Sequence, residues 1–138
     1  MTLRDYCRLI DHTNLKPDAT EAQMQKLCDE ALAYSFRMVA INQVQTAFCA
    51  KALRGSDVHT GAAIAFPLGQ TSLEAKAYET EDAIRQGAKE IDFVLNLTQV
   101  KMGNDAYTLN EMRTIREICH AENILCKVIF ETAYLDEA

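Results

Sequence analysis

Short apolar segments alternate with amphipathic segments along the whole chain, and this alternation is the feature that most constrains the fold. Five apolar segments rich in β-branched residues lie at residues 9–13, 38–42, 60–66, 90–97 and 125–131. Between them lie four amphipathic stretches, at residues 20–34, 44–53, 72–86 and 106–121. Successive apolar segments are about 30 residues apart, the length of one βαβ unit, so the pattern predicts a parallel sheet with right-handed helical crossovers.

Two α/β architectures are compatible with this alternation, and in both of them residues 1–138 form a single domain. The preferred interpretation is a parallel (β/α) repeat that forms a partial TIM barrel of about five βα units, the N-terminal part of a (β/α)8 barrel. The alternative is an open, doubly wound, flavodoxin-like sheet of five strands. A closed eight-stranded barrel needs roughly 200 residues or more, so one copy of this chain cannot close one. A fifth helix is predicted to begin within residues 134–138.

Composition excludes several classes of partner. Asp and Glu number 20 against 14 Lys and Arg, for a net charge of −6, and the basic residues are scattered, which argues against a nucleic-acid partner. The apolar runs are strand-length and the N-terminus is charged, so we expect no membrane contact, no secretory signal and a cytoplasmic location. The five cysteines include no C-x-x-C pair; we expect free thiols and no metal site.

Ionisable residues interrupt three of the predicted strands, whose buried positions are normally apolar. Because side chains alternate along a strand, Asp92 shares a face with Val94 and Asn96, and Lys127 shares a face with Ile129 and Glu131. Asp92 and Lys127 could therefore meet inside a barrel, as either a structural or a functional ion pair.

Other polar residues of the strands favour structural roles. Glu90 and Asp92 lie on one face, which permits a two-carboxylate glycosidase, although a Glu at the bottom of the barrel is the simpler interpretation. His12 points away from Asp11 and is expected to be packed and hydrogen-bonded, whereas His59 and His120 are expected to be solvated. The loop at residues 66–71 would line the catalytic face of a barrel, but it carries no glycine fingerprint for phosphate.

Five motifs together resemble the deoxyribose-phosphate aldolases, in order and spacing, over essentially the whole chain. They are residues 10–17 (IDHTNLKP), 66–69 (FPLG), 75–80 (AKAYET), 87–92 (GAKEID) and 127–132 (KVIFET). The resemblance implies a TIM barrel and a cofactor-free, metal-free class I aldolase. Such an enzyme splits 2-deoxyribose 5-phosphate into glyceraldehyde 3-phosphate and acetaldehyde through a lysine Schiff base.

The resemblance also implies roles for individual residues. Asp92 matches the catalytic aspartate that transfers protons through a water, and Lys127 matches a lysine that hydrogen-bonds the substrate or intermediate. Asp11 matches a supporting aspartate at the end of the first strand. The candidates for contacts with substrate are Phe66, Thr13 and Asn42. The partners implied are a phosphorylated sugar, an aldehyde and further copies of the chain in a homo-oligomer.

The chain departs from the family pattern in ways that affect its expected activity. Ala40 replaces a frequent cysteine, Gln43 a frequent proline and Ala65 a frequent glycine, so we expect altered aldehyde tolerance. The sixth-strand lysine that forms the Schiff base, and the later phosphate-binding loops, have no counterpart in these 138 residues. We therefore expect a truncated aldolase that is inactive alone. Two alternatives are a non-catalytic, self-associating βα scaffold and an unrelated barrel chemistry that uses Glu90, Asp92 and Glu131.

Overall fold

A computed structural model describes residues 1–135, and it contains all five predicted strands. The strands are β1 (Asp11–Asn14), β2 (Met38–Asn42), β3 (His59–Ile64), β4 (Glu90–Val94) and β5 (Leu125–Ile129). The strands β3, β4 and β5 end two or three residues before the apolar segments predicted for them do, because the chain turns away from the sheet. Ala65 adopts a φ of 52° directly after β3, and Asn96 caps a helix soon after β4.

Within residues 1–135, six α-helices accompany the strands, four of them in the predicted amphipathic stretches. They are α1 (Leu3–Cys7), α2 (Glu21–Tyr34), α3 (Thr46–Ala52), α4 (Leu73–Arg85), α5 (Leu97–Lys101) and α6 (Asp105–Ala121). The N-cap side chains Thr20, Ser72 and Asn104 accept backbone hydrogen bonds that start α2, α4 and α6. The short helices α1 and α5 were not predicted, since five residues show too little periodicity.

The sheet is open and entirely parallel, with its strands in the order of the chain, β1-β2-β3-β4-β5. A doubly wound sheet reverses its strand order at a switch point. No reversal occurs among the described strands, so the preferred partial barrel is confirmed; the sheet is open, as in the alternative, but its strand order is not that of a flavodoxin-like fold.

The hydrophobic core lies on one face of the sheet, under the helices. Val39 and Ile41 of β2 pack with residues of α2 and α3, while Ile91 and Phe93 of β4 pack with residues of α4 and α6. The alternate residues of the same strands point to the other face, which helices α2, α3, α4 and α6 leave uncovered. We call this second face the inner face.

The sheet is rolled, so that the inner face is concave. In a flat sheet β1 and β5 would lie four strand spacings, or about 19 Å, apart. Instead, Lys127 Nζ on β5 lies 2.9 Å from Asp11 Oδ2 on β1. Side chains from the two end strands therefore meet across the inner face, as they do inside a barrel.

The end of the described chain bears on one further expectation. Residues 132–134 form a single 3-10 turn after β5. The fifth helix predicted within residues 134–138 falls largely on residues 136–138, outside the described part. None of the described helices is long and apolar enough to cross a membrane.

Candidate active site on the inner face

The inner face is built from side chains of alternate strand residues, and small residues on β2 and β3 leave room for larger ones. At Gly61 a Cβ atom would lie 2.6 Å from the Sδ and Cε atoms of Met38. The absence of a side chain at Gly61 thus allows Met38 to lie across the inner face. The Met38 sulfur lies 3.5 Å from Lys127 Nζ.

Lys127 is the centre of the site, because its ammonium group is surrounded by carboxylates from two strands. Asp92 and Lys127 are direct partners in the β4–β5 register, and Asp92 Oδ1 lies 3.2 Å from Lys127 Nζ. Asp11 Oδ2 accepts a hydrogen bond of 2.9 Å from Lys127, and Glu90 Oε2 lies 3.4 Å from the same nitrogen. The predicted convergence of Asp92 and Lys127 on one face is confirmed; their catalytic roles stay predictions.

These carboxylates keep Lys127 protonated. Burial by itself would lower the pKa of Lys127, but the hydrogen bond to Asp11 and the negative charges of Asp92, Asp11 and Glu90 outweigh it. The net result is a pKa above the ordinary value for lysine. Lys127 is therefore suited to donate hydrogen bonds and poorly suited to attack a carbonyl group.

Asp92 has the opposite tendency, toward the protonated form. Burial raises the pKa of Asp92, and the charges of Asp11 and Glu90 raise it further, although Lys127 lowers it. Asp92 Oδ1 is buried and lies 3.2 Å from Lys127 Nζ, close enough for an ion pair. The Asp92 side chain as a whole is 17% exposed, so it is only partly shielded on the concave side.

Glu90 lies at the lower end of the inner face and is held by two donors. Its Oε1 accepts hydrogen bonds from Arg37 Nε at 2.9 Å and from His59 Nδ1 at 2.7 Å. The interpretation of Glu90 as a residue at the bottom of the barrel therefore agrees with the structure. The expectation that His59 is solvated is wrong, because β3 begins at His59 and directs its ring toward Glu90. His12 behaves as expected, bonding Glu30 Oε2 at 2.8 Å and packing against Phe36.

Two predicted positions require correction. Asp11 is the first residue of β1 rather than lying at its end, so the Asp11–Lys127–Asp92 cluster lies deep in the inner face. Glu131 follows the end of β5 and adopts a φ of 51°, which removes it from the strand alternation that would have pointed it inward with Lys127. The alternative chemistry based on Glu90, Asp92 and Glu131 thus loses one of its carboxylates.

The three candidate substrate-binding residues lie toward the carboxyl ends of neighbouring strands. Thr13 is exposed in β1 and its hydroxyl donates to the Asp11 carbonyl at 2.9 Å. Asn42 is the last residue of β2, and its side chain makes no cap hydrogen bond. Phe66 lies in the loop after β3 and precedes a cis proline. Thr13 and Asn42 follow the strand alternation of the inner face, whereas Phe66 lines a cavity that also includes Glu79 of α4; the contacts of all three with substrate stay a prediction.

The loop after β3 owes its shape to close contacts that the sequence did not reveal. The Ala65 amide donates to Glu79 Oε2 of α4 at 3.0 Å. Gly69 has a φ of 66°, and a Cβ atom there would lie 2.0 Å from the Leu95 carbonyl oxygen. The lack of a side chain at Gly69 therefore allows this loop to approach the end of β4. This close approach explains why the loop contains a glycine although it has no phosphate-binding pattern.

A buried ion pair behind β4 was also missed. Lys76 of α4 is fully buried; its ammonium donates to Glu111 Oε1 of α6 at 2.5 Å and to the Val94 carbonyl at 2.7 Å. The second oxygen of Glu111 accepts from the Asn96 amide at 3.0 Å. The expectation that Lys127 would be the buried lysine is therefore wrong, because its side chain is 36% exposed whereas Lys76 is fully buried. Helical spacing could have found Lys76, since it shares one face of α4 with the buried residues Thr80 and Ala83.

A rolled parallel sheet, with a lysine held among carboxylates on its concave face, defines a protein of the (β/α)-barrel aldolase class. Residues 7–137 match the family described as DeoC/LacD family aldolase, and the chain belongs to that family.

Several relatives support the assignment. The chain is 58% identical over 134 residues to a deoxyribose-phosphate aldolase from Lactobacillus acidophilus, covering 97% of this chain and 56% of the relative. It is 45% identical to a Bacteroides thetaiotaomicron protein of the same name, covering 99% and 58%. Its fold superimposes with a TM-score of 0.89 on a tetrameric deoxyribose phosphate aldolase from Aeropyrum pernix, at 32% identity, covering 98% and 56%. The chain spans somewhat more than half the length of these relatives.

Proposed function

We propose that the protein provides the proton-transfer part of a class I deoxyribose-phosphate aldolase site. The reaction is the reversible cleavage of 2-deoxy-D-ribose 5-phosphate to D-glyceraldehyde 3-phosphate and acetaldehyde, in deoxyribonucleotide catabolism. The observation that carries the proposal is the Asp11–Lys127–Asp92 cluster on the concave face. Three relatives that are 58%, 45% and 45% identical to this chain bear the name of this enzyme.

Each residue of the cluster has a role that its surroundings support. Asp92, whose pKa is raised, can take and return a proton through a water. Lys127 remains an ammonium and donates a hydrogen bond to the substrate or intermediate. Asp11 accepts a hydrogen bond from Lys127 and orients it. The substrate contacts residues that lie at or after the carboxyl ends of the strands, namely Thr13, Asn42 and Phe66.

The proposal extends to assembly and location. A homo-oligomer is supported by the tetrameric relative from Aeropyrum pernix and by the open edges of β1 and β5. We place the protein in the cytoplasm, where phosphorylated sugars are metabolised.

The test is a chimera in which residues 1–135 replace the matching segment of the Lactobacillus acidophilus relative. We expect the chimera to cleave 2-deoxyribose 5-phosphate, with release of glyceraldehyde 3-phosphate followed in a coupled assay. Asp92→Asn should lower kcat by at least about 100-fold, the lower range for the loss of a general acid–base. The matched control is Asp29→Asn, an exposed aspartate on α2, which should leave kcat unchanged.

Two results would contradict the proposal. A folded chimera with no cleavage would show that these residues do not support the reaction. Near-normal kcat in the Asp92→Asn chimera would show that Asp92 forms a structural ion pair with Lys127.

A further inference from the structure

Glu90 is the most deeply buried carboxylate at Lys127. Its side chain is 2% exposed, against 17% for Asp92 and 39% for Asp11. A carboxylate buried to this degree is costly unless its oxygens have partners. Glu90 has three partners, and all of them are basic side chains, Arg37, His59 and Lys127.

The partners are divided between the two oxygens of Glu90. Oε1 accepts from both Arg37 and His59, which lie at the beginnings of β2 and β3. Because an ionised carboxylate can only accept, the His59 proton lies on Nδ1. These two hydrogen bonds fix the plane of the carboxylate and leave Oε2 directed at Lys127 Nζ, 3.4 Å away.

Glu90 is therefore one of four side chains that contact the Lys127 ammonium. Asp92 flanks it from the adjacent strand position, and Asp11 bonds it from across the inner face. Met38 Sδ, at 3.5 Å, covers it from β2. Glu90 lies two residues before Asp92 on the same face of β4, so its charge lies below the ammonium, toward the amino ends of the strands.

We propose that Glu90, clamped by Arg37 and His59, is a positioning residue that holds Lys127 in the ammonium form and aims it between Asp11 and Asp92. This inference rests on the proposed function, because it explains why Lys127 acts as a hydrogen-bond donor there and does not compete as a nucleophile. Glu90 itself does not touch the substrate, since it lies beneath Lys127.

The experiment is a titration of Lys127 followed by the NMR signal of its ¹³Cε atom, which the Lys127→Arg variant identifies by its loss. Glu90→Gln keeps the shape of the side chain but removes an anion beside the ammonium. The pKa of Lys127 should fall, and the ratio of amine to ammonium at a fixed alkaline pH should rise about tenfold. The matched control, Glu81→Gln, removes an exposed anion from α4 that is not part of this cluster and should leave that ratio unchanged.

A second variant keeps the proposal testable where Glu90→Gln does not fold. Glu90→Asp keeps the charge but shortens the side chain, which withdraws the carboxylate from Lys127, so it should raise the ratio of amine to ammonium by less than Glu90→Gln does. If Glu90 only joined β2, β3 and β4, these variants would change the stability of the protein without shifting the titration of Lys127.

An unmoved titration of Lys127 in folded Glu90→Gln, or in Glu90→Asp where the first variant does not fold, would overturn the positioning role. Neither titration depends on aldol cleavage. An inactive chimera would contradict the proposed function while leaving the titrations unchanged, so the two failures are distinguishable.

Discussion

At the scale of single residues, the chemistry of the site is decided by the charge around Lys127. Schiff-base formation needs an unprotonated amine, and lysines that serve this purpose are usually desolvated or lie beside another cation. Lys127 is instead surrounded by Asp11, Glu90 and Asp92, and the net effect raises its pKa. Lys76 is fully buried, but it is paired with Glu111 on the helix side of the sheet.

We therefore expect no site-specific adduct on Lys127 when the 138-residue chain is treated with acetaldehyde and borohydride. Peptide mass spectrometry after the reduction measures this directly. We also expect no measurable cleavage of 2-deoxyribose 5-phosphate by this chain alone, because Lys127 and Lys76 are both held in ion pairs. A single reduced adduct that maps to Lys127 would show that the carboxylates do not hold it in the ammonium form.

At the scale of elements, the carboxyl end of β4 is fastened by two helices. Lys76 of α4 and Glu111 of α6 bond each other and also the backbone of Val94 and Asn96. Both groups are fully buried, so each is tolerated only because the other is present. This arrangement fixes the turn that follows the strand bearing Asp92.

Lys76→Met should lower the free energy of unfolding by about 3–5 kcal/mol, since it leaves the Glu111 charge buried without a partner. The double variant Lys76→Met, Glu111→Leu should cost less than the single one, because no buried charge remains. Urea denaturation at neutral pH measures both. Lys26→Met is the control: its ion pair with Glu30 is exposed, and its loss should cost no more than about 0.5 kcal/mol. A Lys76→Met protein as stable as Lys26→Met would contradict the buried ion pair.

At the scale of the whole molecule, the sheet is curved like a barrel but has two free edges. Among the described strands, β1 pairs only with β2, and β5 pairs only with β4. Unpaired parallel edges with exposed apolar side chains beside them favour association. Leu125 and Phe130 at the two ends of β5 are 42% and 52% exposed.

We expect the 138-residue chain to self-associate through these edges, with an average mass in light scattering that rises with concentration. Replacing Leu125 and Phe130 by lysine should reduce this association, because charges beside an edge strand oppose strand pairing. Met102→Lys, which changes a residue that is 70% exposed and remote from β5 in the chain, should leave it unchanged. A concentration-independent monomer would show that the edges are protected.

The sequence by itself determined the features that follow from local periodicity. The strand and helix alternation defined five parallel strands, and the period of two placed Asp92 and Lys127 on one face, because neighbouring side chains on a strand must point to opposite sides. The amphipathic stretches predicted to begin at residues 20 and 72 also begin there in the structure, where Thr20 and Ser72 cap α2 and α4. These features depend on residues a few positions apart.

Only the tertiary structure decided which distant residues meet. Asp11 bonds Lys127 from 116 positions away because the sheet is rolled, and no local pattern encodes that curvature. Arg37 and His59 reach Glu90 because the strand register aligns the beginnings of β2, β3 and β4. Local stereochemistry sets the face on which each side chain lies, whereas its partner and its charge state depend on packing between segments that are far apart in the chain.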